Sequence, residues 1–348
     1  MRLGSIPSRT ERETMVRTHL SGIHPRSEEL VEVTRRADRG KAGADEVGQR
    51  QSDDDKALLQ AQLSGGLSDI WSGGLDWQDI LRPLALGSEG FEIGAVTRFF
   101  DTNSFYRQPT ITGEIRANGI AKRSEIRVPA LEESGKKKAG ARGRSAGADP
   151  IRGLSVLPGP YTFARLALDH HYRSFGERIA AVSRVVAAAA EHAVRKGAAH
   201  VLLVEPALVV TPPSRDQWPQ VRDSVEKVTK GLGVHVTLHT QFGDLAPVAR
   251  DALDLRVDAV SADFFSTELD ALRPVKWTKG LVVGAIDGRN SLLEESADVA
   301  AFAEKVRGAL EPKSIALAPS CALEYLPRNV ADLKVNVLGR AAVLMGGG

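Results

Sequence analysis

The sequence predicts an α/β chain folded as a (β/α)8 TIM-type barrel with an N-terminal helical extension. Three observations predict it. After Pro150, short β-rich runs alternate with helical segments at regular intervals, the pattern of a parallel sheet with right-handed crossovers. Polar residues stand at the C-terminal ends of those runs, where such barrels carry their sites. No run is followed by a glycine-rich phosphate motif, so a nucleotide fold has no support.

Taken in order, residues 27–36 (SEELVEVTRR) predict a helix that starts at Ser27 with acids in its first turn. Residues 51–66 (QSDDDKALLQAQLSGG) predict a second helix, closed by Gly65 and Gly66. Two early strands are expected around Leu67–Trp71 and Ile111–Ile115. Between them Asp101, Asn103, Tyr106 and Arg107 lie in an expected loop beside Phe99 and Phe100, a mixture of stacking faces and polar tips. Residues 132–150, rich in Gly, Ala, Lys and Arg without apolar periodicity, predict a flexible basic loop within one barrel domain spanning 1–348.

The six later strands are expected at 154–158, 199–206, 234–239, 257–263, 280–287 and 315–320. Helical segments are expected after the first, second, third and fifth of them. In the third of these runs side chains alternate, so Val234, Val236 and Leu238 face the helices while His235, Thr237, His239 and Gln241 face inward. Barrel interiors are more often filled with Val, Ile and Leu. A polar ligand site and a hydrogen-bonded polar core are both compatible with that inner face.

The 348 residues include 42% hydrophobic and 26% charged residues, an ordinary globular balance. A net charge of +2 gives no footing for nucleic acid or an anionic membrane surface. Cys321 is the single cysteine, which excludes an internal disulfide framework and a multi-cysteine zinc site. No apolar run approaches a membrane span, and the charged start lacks a secretory h-region; a cytoplasmic protein is expected.

Seven segments carry a resemblance: GIHPRSEEL (22–30), SGGLDWQDIL (72–81), FFDTNSFYRQP (99–109), LPGPYTFA (157–164), VEPAL (204–208), GAIDGRN (284–290) and APSCALEYLP (318–327). In order and spacing they resemble the cobalamin-independent methionine synthase family, over nearly the whole chain. The FFDTN, DGRN and PSC texts resemble its N-terminal, non-catalytic barrel more than its catalytic one. The resemblance implies methyl transfer to the thiol of homocysteine, by a barrel that works with a second catalytic barrel protein. Other readings are a non-catalytic module holding a pterin or other methyl donor, or a methyltransferase or lyase acting on another small thiol.

The family's catalytic barrel activates the thiol on zinc held by a His and a Cys two residues apart, a Glu and a second Cys. That pattern falls here on Gln241, Gly243, Asp263 and Cys321. Val204 and Gly74 stand where the family has acids for the homocysteine ammonium. The resemblance therefore implies two cofactor candidates: zinc on a shifted set of His239, Asp263 and Cys321, and a methylated folate or pterin as methyl donor. His239, Asp263 and Cys321 are the catalytic candidates. Asp101, Asn103, Arg107, Glu205, Gln241, Asp287 and Arg289 are the substrate-binding candidates.

Overall fold

The structure is a computed structural model that describes residues 16–123, 126–129 and 150–346. Apart from Pro150, the expected basic loop 132–150 lies outside the described residues. The chain opens with strand β1 (Arg17–Thr18), helices α1 (Glu28–Asp38) and α2 (Ala44–Ser64), and strand β2 (Asp69–Trp71). A short helix α3 (Arg82–Leu86) leads to strands β3 (Glu89–Arg98) and β4 (Phe105–Arg116). Next come β5 (Arg152–Pro158), α4 (Pro160–Leu166), β6 (Leu168–Asp169), α5 (Phe175–Arg195) and β7 (Ala198–Val204). They are followed by α6 (Ala207–Val210), α7 (Trp218–Thr229), β8 (His235–His239), α8 (Ala249–Asp254), β9 (Ala259–Asp263) and α9 (Leu269–Leu272). The chain ends with β10 (Gly280–Ile286), α10 (Ser296–Leu310), β11 (Ile315–Pro319) and α11 (Arg328–Gly346).

Eight strands form one sheet in the order β1-β11-β10-β9-β8-β7-β5-β2, and every pairing in it is parallel. The seam between β1 and β2 is closed by side chains. Thr18 N donates to Ser68 Oγ at 2.9 Å, Ser68 N to Thr18 Oγ1 at 3.1 Å, and Arg17 Nη2 to Asp69 Oδ1 at 2.6 Å. The result is a (β/α)8 TIM-type barrel, as the alternation predicts. The six later strands fall within two residues of their expected ends.

Two expectations are corrected. Ile111–Ile115 belongs to no barrel strand: it lies in β4, paired antiparallel with β3 and flanked by β6 in a separate three-stranded sheet. The missing barrel strand is β1, whose two residues are too few to show a period. Tyr106 and Arg107, expected in a loop, begin β4; only the tip 99–104 turns. The helices expected near the N-terminus are present and serve as the crossover between β1 and β2. Ser27 caps α1 by accepting from Leu30 N, and Gly66 turns the chain out of α2 at φ 79°. From α2, the buried Gln62 amide bonds both Trp71 N and Trp71 O, satisfying backbone groups of the outermost strand β2.

Register places His200 beside His235, Val204 beside His239 and His239 beside Ser261, so these side chains share the barrel interior. Its floor is a charge network centred on the buried Asp69. Arg152 donates to both of its oxygens at 2.9 and 2.5 Å, and His200 Nδ1 lies 2.8 Å from Oδ2. Thr237 Oγ1 meets the other ring nitrogen of His200 at 2.9 Å. No helix among the described residues is long and apolar enough to cross a membrane.

Candidate functional site

The segments that follow β7, β8, β10 and β11 meet the tip of the β3–β4 hairpin around a cleft of about 610 Å3. Phe242 and Arg289 line the barrel side, Glu324 and Tyr325 the segment after β11, and Asp101 and Asn103 the hairpin tip. Aromatic contacts hold the tip in place: Phe99 packs edge-on against Phe100, Tyr106 and Phe242, and Phe242 against Tyr325. Phe100 and Phe242 both sit at positive φ, 52° and 71°, a conformation disfavoured for bulky residues and found where a site dictates the backbone.

Asp263 holds that strained turn. Fully buried at the end of β9, it accepts from Phe242 N at 3.1 Å, Phe265 N at 3.0 Å and Ser266 Oγ at 3.0 Å. Arg289 Nη2 lies 3.4 Å from the same carboxylate. Burial raises the Asp263 pKa, and the Arg289 charge works against that rise. Arg289 also lies 3.6 Å from Asp287 and over the Phe242 ring at 6.0 Å. The turn that carries it is fixed by Arg289 N donating to Asp287 Oδ1 and Asp287 N donating to Glu294 Oε1.

Other candidates lie elsewhere. Glu205 is fully buried, and its two oxygens accept from Tyr161 N at 2.8 Å and Thr162 N at 2.7 Å, at the start of α4. It joins the LPGPYTFA and VEPAL segments, and burial pushes its carboxyl up to about 7. Arg107 is exposed on β4, with its side chain along the hairpin toward Gly94 O at 3.5 Å. Asp101 is fully exposed at the cleft rim, 3.3 Å from Arg98.

His239 stands inside the barrel with no exposed surface, and neither ring nitrogen has a hydrogen-bond partner among the described residues. Burial holds its pKa down to about 3, so the ring is neutral. Cys321 is buried beneath Gly288, where an added Cβ would come within 2.6 Å of Sγ. Burial pushes its thiol far up, which disfavours the thiolate that would ligate a metal.

The zinc set expected from the resemblance is therefore not assembled. Among the described residues no three His, Cys, Asp or Glu side chains come together as a metal-holding group. Asp263 is engaged by two backbone amides, a hydroxyl and a guanidinium, and Cys321 is held as a thiol. Gln241 and Gly243, at the two remaining positions of the family pattern, offer neither an imidazole nor a thiolate. These donors do not fit zinc.

Phe242, Glu324 and Tyr325 are among the cleft residues that escaped the sequence reading. The signal for the last two was a Glu-Tyr pair three residues beyond the Cys at a strand end, in a segment noticed for its Cys. Glu324 also lines a recess of about 20 Å3 beneath the hairpin tip, with Gln241, Val204, Ser21, Tyr106 and Tyr325. Burial pushes the Glu324 carboxyl up to about 7.

A family model described as the N-terminal domain of cobalamin-independent synthase matches residues 73–311. A methionine synthase of Sulfolobus acidocaldarius is 22% identical over 324 residues, covering 92% of this chain and 90% of the relative. One from Saccharolobus solfataricus is 24% identical over 321 residues, covering 91% of each. Among solved structures, a B12-independent methionine synthase from Shewanella sp. W3-18-1 in complex with selenomethionine superposes with a TM-score of 0.72 at 17% identity, covering 95% of this chain and 97% of that one. A methyltransferase from Methanosarcina mazei gives 0.60 at 16% identity, covering 94% of both. At these identities the structural likeness speaks for the fold.

Proposed function

The chain belongs to the cobalamin-independent synthase family, matching its N-terminal domain, and from that premise we propose that it acts in methyl transfer to the thiol of homocysteine, as a substrate-binding barrel that works with a second, catalytic barrel. The whole chain is taken as one such unit, in the cytoplasm. The single observation that carries this reading is the cleft of about 610 Å3 at the barrel mouth, built from family segments but without donors that fit zinc. The printed names of the relatives supply the reaction class, and the Shewanella structure holds an amino acid, selenomethionine.

In this reading the chain's own residues bind and orient. Phe100, Phe242 and Tyr325 supply flat apolar walls, Arg289 supplies a guanidinium anchored by Asp263 and Asp287, and the hairpin tip covers the ligand from water. Cys321, buried and protonated, takes no part in activating the thiol. The same aromatic walls support a second reading, a non-catalytic module for a methylated pterin.

Methionine formation tests the proposal. Homocysteine and 5-methyltetrahydropteroyl-glutamate are supplied to the chain alone, to a zinc-bearing catalytic barrel of the family alone, and to the two together. The reading expects product above the sum of the separate reactions only when both are present. An unchanged rate on adding this chain would overturn it.

A further inference from the structure

The interior of the barrel holds a group of buried polar atoms without matched hydrogen bonds. His19, just past the end of β1, His239 at the end of β8 and Ser261 on β9 have essentially no exposed surface. Among the described residues, His19 Nε2, both ring nitrogens of His239 and Ser261 Oγ lack a well-formed hydrogen bond. His239 and Ser261 are register partners on neighbouring strands, so they share one face. In the order β1-β11-β10-β9-β8, β1 stands across the interior from β8. The His19 ring turns inward against His200, 5.2 Å between centroids, and lies close enough for its charge to act on His239. Gln241 acts on the His239 ring as well, and also lines the recess beneath the hairpin tip. On the same inner face Ala259, Val282 and Ala318 form an apolar cluster of their own. Its two alanines take less volume than the bulky branched residues usual in barrel interiors.

The chemistry of these atoms selects what fits between them. His19 Nδ1 lies 2.9 Å from Leu20 O, which can only accept, so Nδ1 carries the proton and Nε2 presents a lone pair. Burial lowers the His19 pKa and holds His239 down to about 3, so both rings are neutral. Neutral His239 offers one N–H and one lone pair, and the Ser261 hydroxyl donates or accepts. His200 stands apart from the group, its two nitrogens matched by Asp69 and Thr237. A cation placed here would face the His239 N–H, and an anion would face two imidazole lone pairs. Either leaves buried groups unmatched, which is costly in a dry interior. A small neutral group that both donates and accepts matches all of them.

We propose that His19, His239 and Ser261 bind ordered water on the barrel axis, about one or two molecules at the roughly two to four hydrogen bonds that each makes. The water donates to His19 Nε2 and to the His239 lone pair, and accepts from the His239 N–H and the Ser261 hydroxyl. It links the imidazoles above the Asp69 network to Gln241 below the mouth. The polar inner face at the end of β8 is thereby a hydrated core, whether or not the chain takes part in methyl transfer.

A high-resolution crystal structure of the full chain tests this directly. A water oxygen is expected within about 3.2 Å of His19 Nε2 and of one His239 nitrogen. A direct hydrogen bond between the two rings, an interior without a peak, or an anomalous scatterer bridging the rings would overturn the proposal. In solution, oxygen-17 magnetic relaxation dispersion counts the water molecules that stay inside the protein longer than it tumbles. His239→Leu and the milder Ser261→Ala, each checked for folding by far-UV spectrum and a cooperative urea transition, test that count. The folded variants are expected to lose about one long-lived water relative to wild type. An unchanged count in every folded variant would overturn the proposal as well. Should neither variant fold, the wild-type crystal structure decides alone.

Discussion

Lys334 and Glu294 form an ion pair with the ammonium 2.8 Å from both carboxylate oxygens and no exposed surface on the lysine side chain. Lys334 reaches it from α11 and also donates to Leu292 O at 2.7 Å, while Glu294 accepts from Asp287 N at 2.7 Å. A lysine on the outer helix thus braces the turn that presents Arg289 to the cleft. Lys334→Met should cost about 3 kcal/mol by leaving a largely buried carboxylate unpaired, measured by urea unfolding. Adding Glu294→Gln to it should recover part of the loss, since the unpaired charge is then gone.

Glu205 is the joint between α4 and the end of β7, and the joint leaves no spare room: a Cβ at Gly159 would fall 2.1 Å from the Glu205 side chain. Glu205→Gln turns an amide N–H toward one of two backbone donors and should destabilise by about 2 kcal/mol through one unsatisfied buried group. Gly159→Ala should unfold at lower urea than Glu205→Gln, because the helix start itself must shift. Comparing the two unfolding midpoints checks the ranking.

The buried histidines make the barrel acid-sensitive. Burial holds His200 and His239 down to about 3, against an ordinary value of 6.5 in the unfolded chain. Stability from these groups is therefore complete above pH 6.5 and is lost as pH falls from there toward 3, by about 2 kcal/mol per histidine at pH 5. Glu205 and Glu324, both raised to about 7, act with the opposite sign, losing stability as pH rises from 4.5 to 7. The test is therefore a difference: urea midpoints of wild type and His239→Gln at pH 5, 6, 7 and 8. The variant should lose less stability between pH 7 and 5.

Much of the barrel was legible because β5 and β7–β11 are apolar runs separated by helical segments, and the inner face of β8 could be read by alternation alone. β1 was not, because two residues carry no period and their place depends on Ser68 and Asp69 across the seam. The β3–β4 hairpin was misread in part because Ile111–Ile115 has a strand's composition, and composition does not say which sheet a strand joins. At the site, Asp263 and Arg289 were visible as polar residues at strand ends. That Glu205 turns to a helix start and Cys321 lies under Gly288 follows from three-dimensional packing. Phe242 escaped because nothing in its neighbourhood announces a positive φ for a bulky side chain.

We propose that this member of the family binds its ligand at the barrel mouth without zinc there. Zinc content measured by mass spectrometry after zinc loading and desalting tests it most directly. Well below about one zinc per chain is expected, unchanged by Cys321→Ser. A content of about one zinc per chain that is lost in Cys321→Ser would contradict it.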